Sequence, residues 1–174
     1  AFTRSMSTQG IKWAMLSYSH GENAEYQKHV LRVYVALLKR KVPVWMDMMA
    51  GTAGDLYEMM AHAVGGAAVV VPFMTTAYKH SEACRSEACY AKDQKLPIVA
   101  VKGESETTFE QTGWLGIVVA GKLWTQILPE MDNDTFETQV DELVRQLTEH
   151  GVQLIADDLV PNGLEVSTSG VVQQ

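Results

Sequence analysis

The chain has 174 residues, 47% of them hydrophobic, and a formal net charge of −7 with a pI near 5.2. That composition suits one domain with an ordinary core. It argues against nonspecific nucleic-acid binding and against an anionic membrane surface, because no basic stripe is present. Apolar runs reach only about eight residues, too few to span a bilayer. The start, Ala1 to Ser5, has no apolar stretch, so no signal peptide is expected there. Without an initial Met, the chain is expected to be a piece cut from something longer or to begin with a cloning scar. Two cysteines, Cys84 and Cys89, fall in one expected helix, about 140° apart around its axis. A bridge between them is not expected, and free thiols fit a reducing, cytoplasmic compartment.

In chain order, Lys12 to Tyr18 reads as a first strand and Ser19 to Asn23 as a loop. A helix follows from Ala24 to Lys41. Its Tyr26, Val30, Val33, Tyr34, Leu37 and Leu38 keep the spacing of one helical face. Lys39-Arg40-Lys41 closes it, where cations suit the helix dipole. Val42 to Met46 is a second strand. Asp47 to Gly54 is a loop, and Asp55 to Val64 a helix ended by Gly65-Gly66 as C-cap.

Ala67 to Met74 is a short β-branched run, read as a buried third strand. A polar turn follows from Thr75 to His80. Ser81 is placed to cap a helix running to about Lys92. Leu96 to Val101 is a fourth strand, and Lys102 to Gln111 a polar loop. Gly113 to Val119 and Lys122 to Trp124 carry the last strand region. Thr135 to His150 is a closing helix. Beyond it periodicity fades, with a short apolar dock at Val152 to Ile155. A loose segment over 1–10, one domain over 11–150 and a tail or linker over 151–174 are expected.

Alternating strands and helices imply right-handed βαβ units around a parallel sheet. Five strands suit a flavodoxin-like, doubly wound α/β fold of order 2-1-3-4-5, an order assumed from the fold class. Its switch point lies between strands one and three, where ligands bind beyond the carboxyl ends. Glu87 sits about two turns into the helix leaving that crevice. A carboxylate there can stabilise a developing positive charge, so Glu87 is the candidate for chemistry.

Four motifs in this order resemble the TIR (Toll/interleukin-1 receptor) family. Met15-Leu16-Ser17-Tyr18 is similar to its first box. Val44-Trp45-Met46-Asp47 with Ala53-Gly54 is similar to its second box and BB loop. Tyr78, Ser81, Cys84 and Glu87 resemble the segment that holds the catalytic glutamate of NAD-cleaving members. Cys84 to Ala91, Thr112 to Gly116 and Lys122 to Trp124 look most like invertebrate-type members. The likeness spans roughly Lys12 to His150.

The resemblance implies cleavage of NAD+ at the nicotinamide–ribose bond, with NAD+ as substrate and no cofactor or metal. Glu87 would be the essential carboxylate. Tyr18, Ser19, His20, Asp47, Tyr78, Ala83 and Cys84 would line the pocket. Met48, Met49, Gly51, Ala53 and Gly54 would form the BB-loop contact with other TIR domains, so activity would depend on self-assembly, in immune or cell-death signalling. The same resemblance admits a noncatalytic adaptor acting through TIR–TIR contacts. Two positions depart from the NAD-cleaving pattern. Ala83 stands where several members carry a stacking Trp, and Ser19 and His20 stand where one carries basic residues. Stacking would then fall to Tyr18, Tyr78 or a neighbouring subunit.

Plainer readings stand beside these. Glu87 could pair with Arg85 or Lys92 on a solvated face, Asp47 could be a turn former, and His20 a loop residue. Cys84 with His80 one turn upstream lacks the third orienting group of a nucleophilic site. Trp45, Trp114 and Trp124 are expected in the core or at its rim. No Gly-rich phosphate cradle is present.

Overall fold

The computed structural model describes residues 9–21, 23–46, 56–105, 109–159, 165–166 and 172–173. Five parallel strands form the central sheet: β1 (Trp13–Ser17), β2 (Val44–Met46), β3 (Ala67–Met74), β4 (Ala100–Lys102) and β5 (Trp124–Gln126). Their order is β2-β1-β3-β4-β5, the doubly wound arrangement. Helices α1 (Ala24–Lys39), α2 (Leu56–Gly66), α3 (Thr76–His80), α4 (Glu82–Asp93), α5 (Gly113–Val119) and α6 (Asn133–Glu149) cover it. Among the described residues, no helix is long and apolar enough to cross a membrane.

Both faces of a parallel sheet need cover, and alternation along the strands supplies two apolar sets. Ala14, Leu16, Val69, Val71, Phe73, Val99 and Val101 pack with Val30, Val33 and Leu37 of α1 and with Phe136, Val140 and Leu143 of α6. Trp13, Met15 and Val70 turn the other way, onto Ala63 and Val64 of α2 and Ala91 of α4. Further along that face, Met74 and Ala100 meet Tyr78, Cys84 and Ala88, with Leu115, Val118 and Val119 of α5.

Local signals explain the helix ends. Asn23 Oδ1 accepts the Tyr26 amide at 2.9 Å and caps α1. At the other end Lys41 takes φ 64°, while Lys41 and Val42 amides donate to Leu38 and Leu37 carbonyls, closing the helix in a left-handed turn. The basic run is used inside the fold. Arg40 reaches Glu137 and Asp141 of α6, both at 2.6 Å, and Lys41 pairs with Asp157 at 2.8 Å.

Three expectations need correction. Gly113 to Val119 is helix α5, not strand, although Ile117-Val118-Val119 is β-branched. Leu115, Val118 and Val119 are buried at helical spacing while Ile117 is 70% exposed, so the packing decided against local β propensity. Gly65 and Gly66 lie inside α2 rather than capping it. The turn after β3 is the short helix α3, capped by Thr75 Oγ1 on the Tyr78 amide at 3.0 Å. Past α6, Val152 and Ile155 are buried, and the Ile155 amide donates to Lys41 O at 2.8 Å. A small antiparallel pair, β6 (Glu165–Val166) and β7 (Val172–Gln173), follows, with β6 beside α1.

One buried titratable group ties α1 to the segment after β5. His29 Nε2 lies 3.1 Å from the Ile127 carbonyl and donates to it in the neutral ring. Burial holds its pKa below the usual 6.5. Below pH 6.5 the unfolded chain therefore takes up a proton that the folded chain resists. Melting temperature is expected to fall as pH drops below about 6.5, and His29→Gln, which keeps a donor, is expected to lose that part of the slope. Thermal melts from pH 7.5 to 5 check this; parallel slopes for the two proteins would refute it.

Candidate active site

Three polar side chains meet beyond the carboxyl ends of β1 and β3, at the point where the sheet order reverses. Ser17 is the last residue of β1, opposite Pro72 in β3. Tyr78 comes from α3, which follows β3 directly. Glu87 comes from the second turn of α4, whose start is fixed by Ser81 Oγ accepting the Cys84 amide at 3.2 Å. Alternation along β1 sends Ser17 to the α4 side, away from Leu16 and Tyr18. Ser17 Oγ lies 2.8 Å from the Tyr78 hydroxyl, and its own proton goes to Glu87 Oε2.

The three differ in depth. Tyr78 is wholly buried at 0% exposure, Ser17 is 2% exposed, and Glu87 is half-buried. Burial, and next the charge of Glu87, push the Tyr78 phenol pKa well above its usual value. Its proton therefore stays on at neutral pH.

Glu104, Glu110, Thr112 and Trp114 hold α3. Glu104 accepts the Thr76 amide at 2.7 Å and the Thr76 hydroxyl at 3.1 Å. Trp114 Nε1 donates to Lys79 O at 2.8 Å, and Lys79 Nζ donates to Glu110 O and Thr112 Oγ1. The Trp114 ring lies 6.1 Å from that of Tyr78.

The other expected pocket residues scatter more widely. Tyr78, expected to line the pocket or stack on a ligand, is wholly buried, with its hydroxyl against Ser17. Tyr18 is buried on the α1 side, with its ring stacked on His20 at 4.8 Å and 15°. Ser19 is buried, and its Oγ accepts the Gly21 amide at 3.2 Å. His20, on the loop after β1, and Ala83, on α4, are both exposed. Cys84 is buried on α4, whereas Cys89 and His80 are exposed, and neither cysteine is in a disulfide. Asp47, Met48, Met49, Gly51, Ala53 and Gly54 lie outside the described residues, just past β2. Trp124, expected in the core or at its rim, is 42% exposed, with Lys102 Nζ 5.9 Å from its ring centre.

Ser17 was not singled out from the sequence. The available signal was a hydroxyl closing an otherwise apolar strand at the switch point, where burial demands a partner. Chemically, the group presents one half-buried carboxylate, tied to the end of a strand at the switch point. Such a fixed charge suits stabilisation of a developing cation.

A family model described as the TIR domain matches residues 15–144. Among solved structures, the chain is similar to the TIR domain of the Toll-related receptor TRR-2 from Hydra magnipapillata. That alignment has a TM-score of 0.56 and 13% identity, and covers 78% of this chain and 97% of that one. The TIR domains of the activated Roq1 resistosome, which directly recognises the pathogen effector XopQ, align at a TM-score of 0.48 and 18% identity, over 79% of this chain and 84% of that one. No curated protein matches the chain.

Proposed function

This chain belongs to the TIR domain family, and from that premise we propose that it is an NAD+ nucleosidase acting in cytoplasmic immune or cell-death signalling. The observation that carries the reading is the half-buried Glu87 carboxylate, bonded to Ser17 at the carboxyl end of β1. Nicotinamide departs from a pyridinium, so the C1′–N bond breaks with its electron pair going to nitrogen and the base leaves neutral. No general acid is needed. The ribose becomes oxocarbenium-like, as in glycoside cleavage. Glu87 stabilises that cation and accepts hydrogen bonds from the ribose hydroxyls. Water then attacks C1′ and releases one proton, giving ADP-ribose. An adenine nitrogen or a ribose hydroxyl in the same position closes a cyclic isomer instead.

Self-assembly is part of the reading. The apolar side chains of Leu123, at 79% exposure, and Trp124, at 42%, stand at the start of edge strand β5. They suit contact with another TIR domain. The same patch favours the second reading, a noncatalytic adaptor that works through TIR–TIR contacts alone.

The test is NAD+ loss and nicotinamide release against protein concentration. Specific activity is expected to rise from nanomolar to high micromolar protein, as mass action fills the assembly. A flat specific activity would overturn the assembly requirement. Absence of nicotinamide from any clustered state would select the adaptor.

A further inference from the structure

We propose that Ser17 and Tyr78 form a directed hydroxyl relay that holds the Glu87 carboxylate in its working position. For its kinetic half the inference rests on the NAD+-cleavage reading above; its geometric half stands on the contacts alone.

The direction follows from counting protons. A serine hydroxyl has one proton and two lone pairs, and a carboxylate only accepts. Ser17 gives its proton to Glu87 Oε2. The 2.8 Å contact between Ser17 Oγ and the Tyr78 hydroxyl must then be a donation from Tyr78. The chain therefore runs Tyr78 O–H to Ser17 Oγ–H to the carboxylate. Each donation polarises the next, and a bond to an ionised acceptor is the stronger kind.

The origins of the three members give the relay its purpose. Glu87 is a long, rotatable side chain on a helix. Ser17 is fixed by the strand ladder at the sheet centre. Tyr78 is wholly buried and cannot touch a ligand, and α3 is held by Glu104 and by the Trp114–Lys79 bond. The relay thus ties a mobile acid to two rigid supports. Ser17 and Tyr78 are positioning residues: they act on the ribose only through Glu87.

A merely structural role would satisfy the same two hydroxyls and have no other consequence. The experiment separates the two with the whole chain as wild type, Ser17→Ala, Tyr78→Phe and the double variant. Each is checked for folding by thermal melt, solved by crystallography and assayed for nicotinamide release. In Ser17→Ala the Glu87 carboxylate is expected to leave the end of β1 or to split among conformers. Its kcat is expected to fall on the order of 10- to 100-fold, as for loss of a supporting hydrogen bond, with KM nearly unchanged. Tyr78→Phe is expected to lower kcat about threefold to tenfold. Added to Ser17→Ala, it is expected to cost less than about twofold more, because its effect passes through Ser17.

Additive losses, or kcat in Ser17→Ala equal to wild type, would overturn the relay. So would an unmoved Glu87 in the Ser17→Ala structure. If clustered wild type releases no nicotinamide, the NAD+ reading fails separately. The position of Glu87 in the Ser17→Ala structure then decides the relay.

Discussion

Replacing Glu87 by glutamine is expected to lower nicotinamide release on the order of 10²–10³-fold while leaving the melting temperature within a few degrees of wild type. Glutamine has nearly the same shape, and its amide oxygen still accepts the Ser17 proton, so the contact at the end of β1 survives. What disappears is the negative charge. A loss of about 2.7–4 kcal/mol in barrier stabilisation is what one preorganised electrostatic partner supplies. Alanine removes charge and contact together and is expected to be at least as inactive. The assay is nicotinamide release by clustered protein, beside thermal melts of each variant. Activity in Glu87→Gln within a few-fold of wild type would show that the charge is not used, and the NAD+ reading would go with it.

Gly66→Ala is expected to destabilise the fold by about 3 kcal/mol, lowering the melting temperature by roughly 6–12 °C. A β-carbon there would lie 2.0 Å from Trp13 Cη2 and 2.1 Å from its Cζ2. The indole has nowhere easy to go. It is 1% exposed, and its Nε1 donates to Ala63 O at 3.0 Å. Gly65, one residue earlier, faces open space. There alanine is expected to stabilise by roughly 0.5–1 kcal/mol, because glycine loses more backbone freedom in a helix. Two adjacent substitutions of the same kind thus carry opposite signs. Denaturant titrations of both variants check it, and a Gly66→Ala protein as stable as wild type would refute the packing argument.

Those two glycines also mark how far the sequence can be read. A Gly-Gly pair after an apolar helix suggests a stop, because local rules see only the chain's own conformation. The indole that requires Gly66 comes from a residue 53 positions away, and nothing local announces it. Strong periodicity fared better: α1, β3 and α6 carry enough apolar residues at one spacing to survive any neighbour, and Asn23 and Ser81 announce helix starts by side-chain chemistry. Helix α5 was misread because Ile117, Val118 and Val119 fit a strand equally well until their partners are known.

The site divides in the same manner. Glu87 was legible because a capped helix after a buried strand places its second turn near the switch point. Ser17 was not, since its partners lie 61 and 70 positions on. Tyr78 was legible as a neighbour of the crevice but not as a buried one. Glu104 and Trp114, which bond to α3 from later in the chain, are not announced by its local sequence.

The order of these segments matters during synthesis. A nascent chain has delivered Ser17, Tyr78 and Glu87 from the ribosome once α4, ending at Asp93, has emerged. Trp114, which covers the phenol ring, arrives some twenty residues later. The acid and its supports are therefore present before the ring that packs near Tyr78, and the last strands finish a centre whose members earlier segments have already produced.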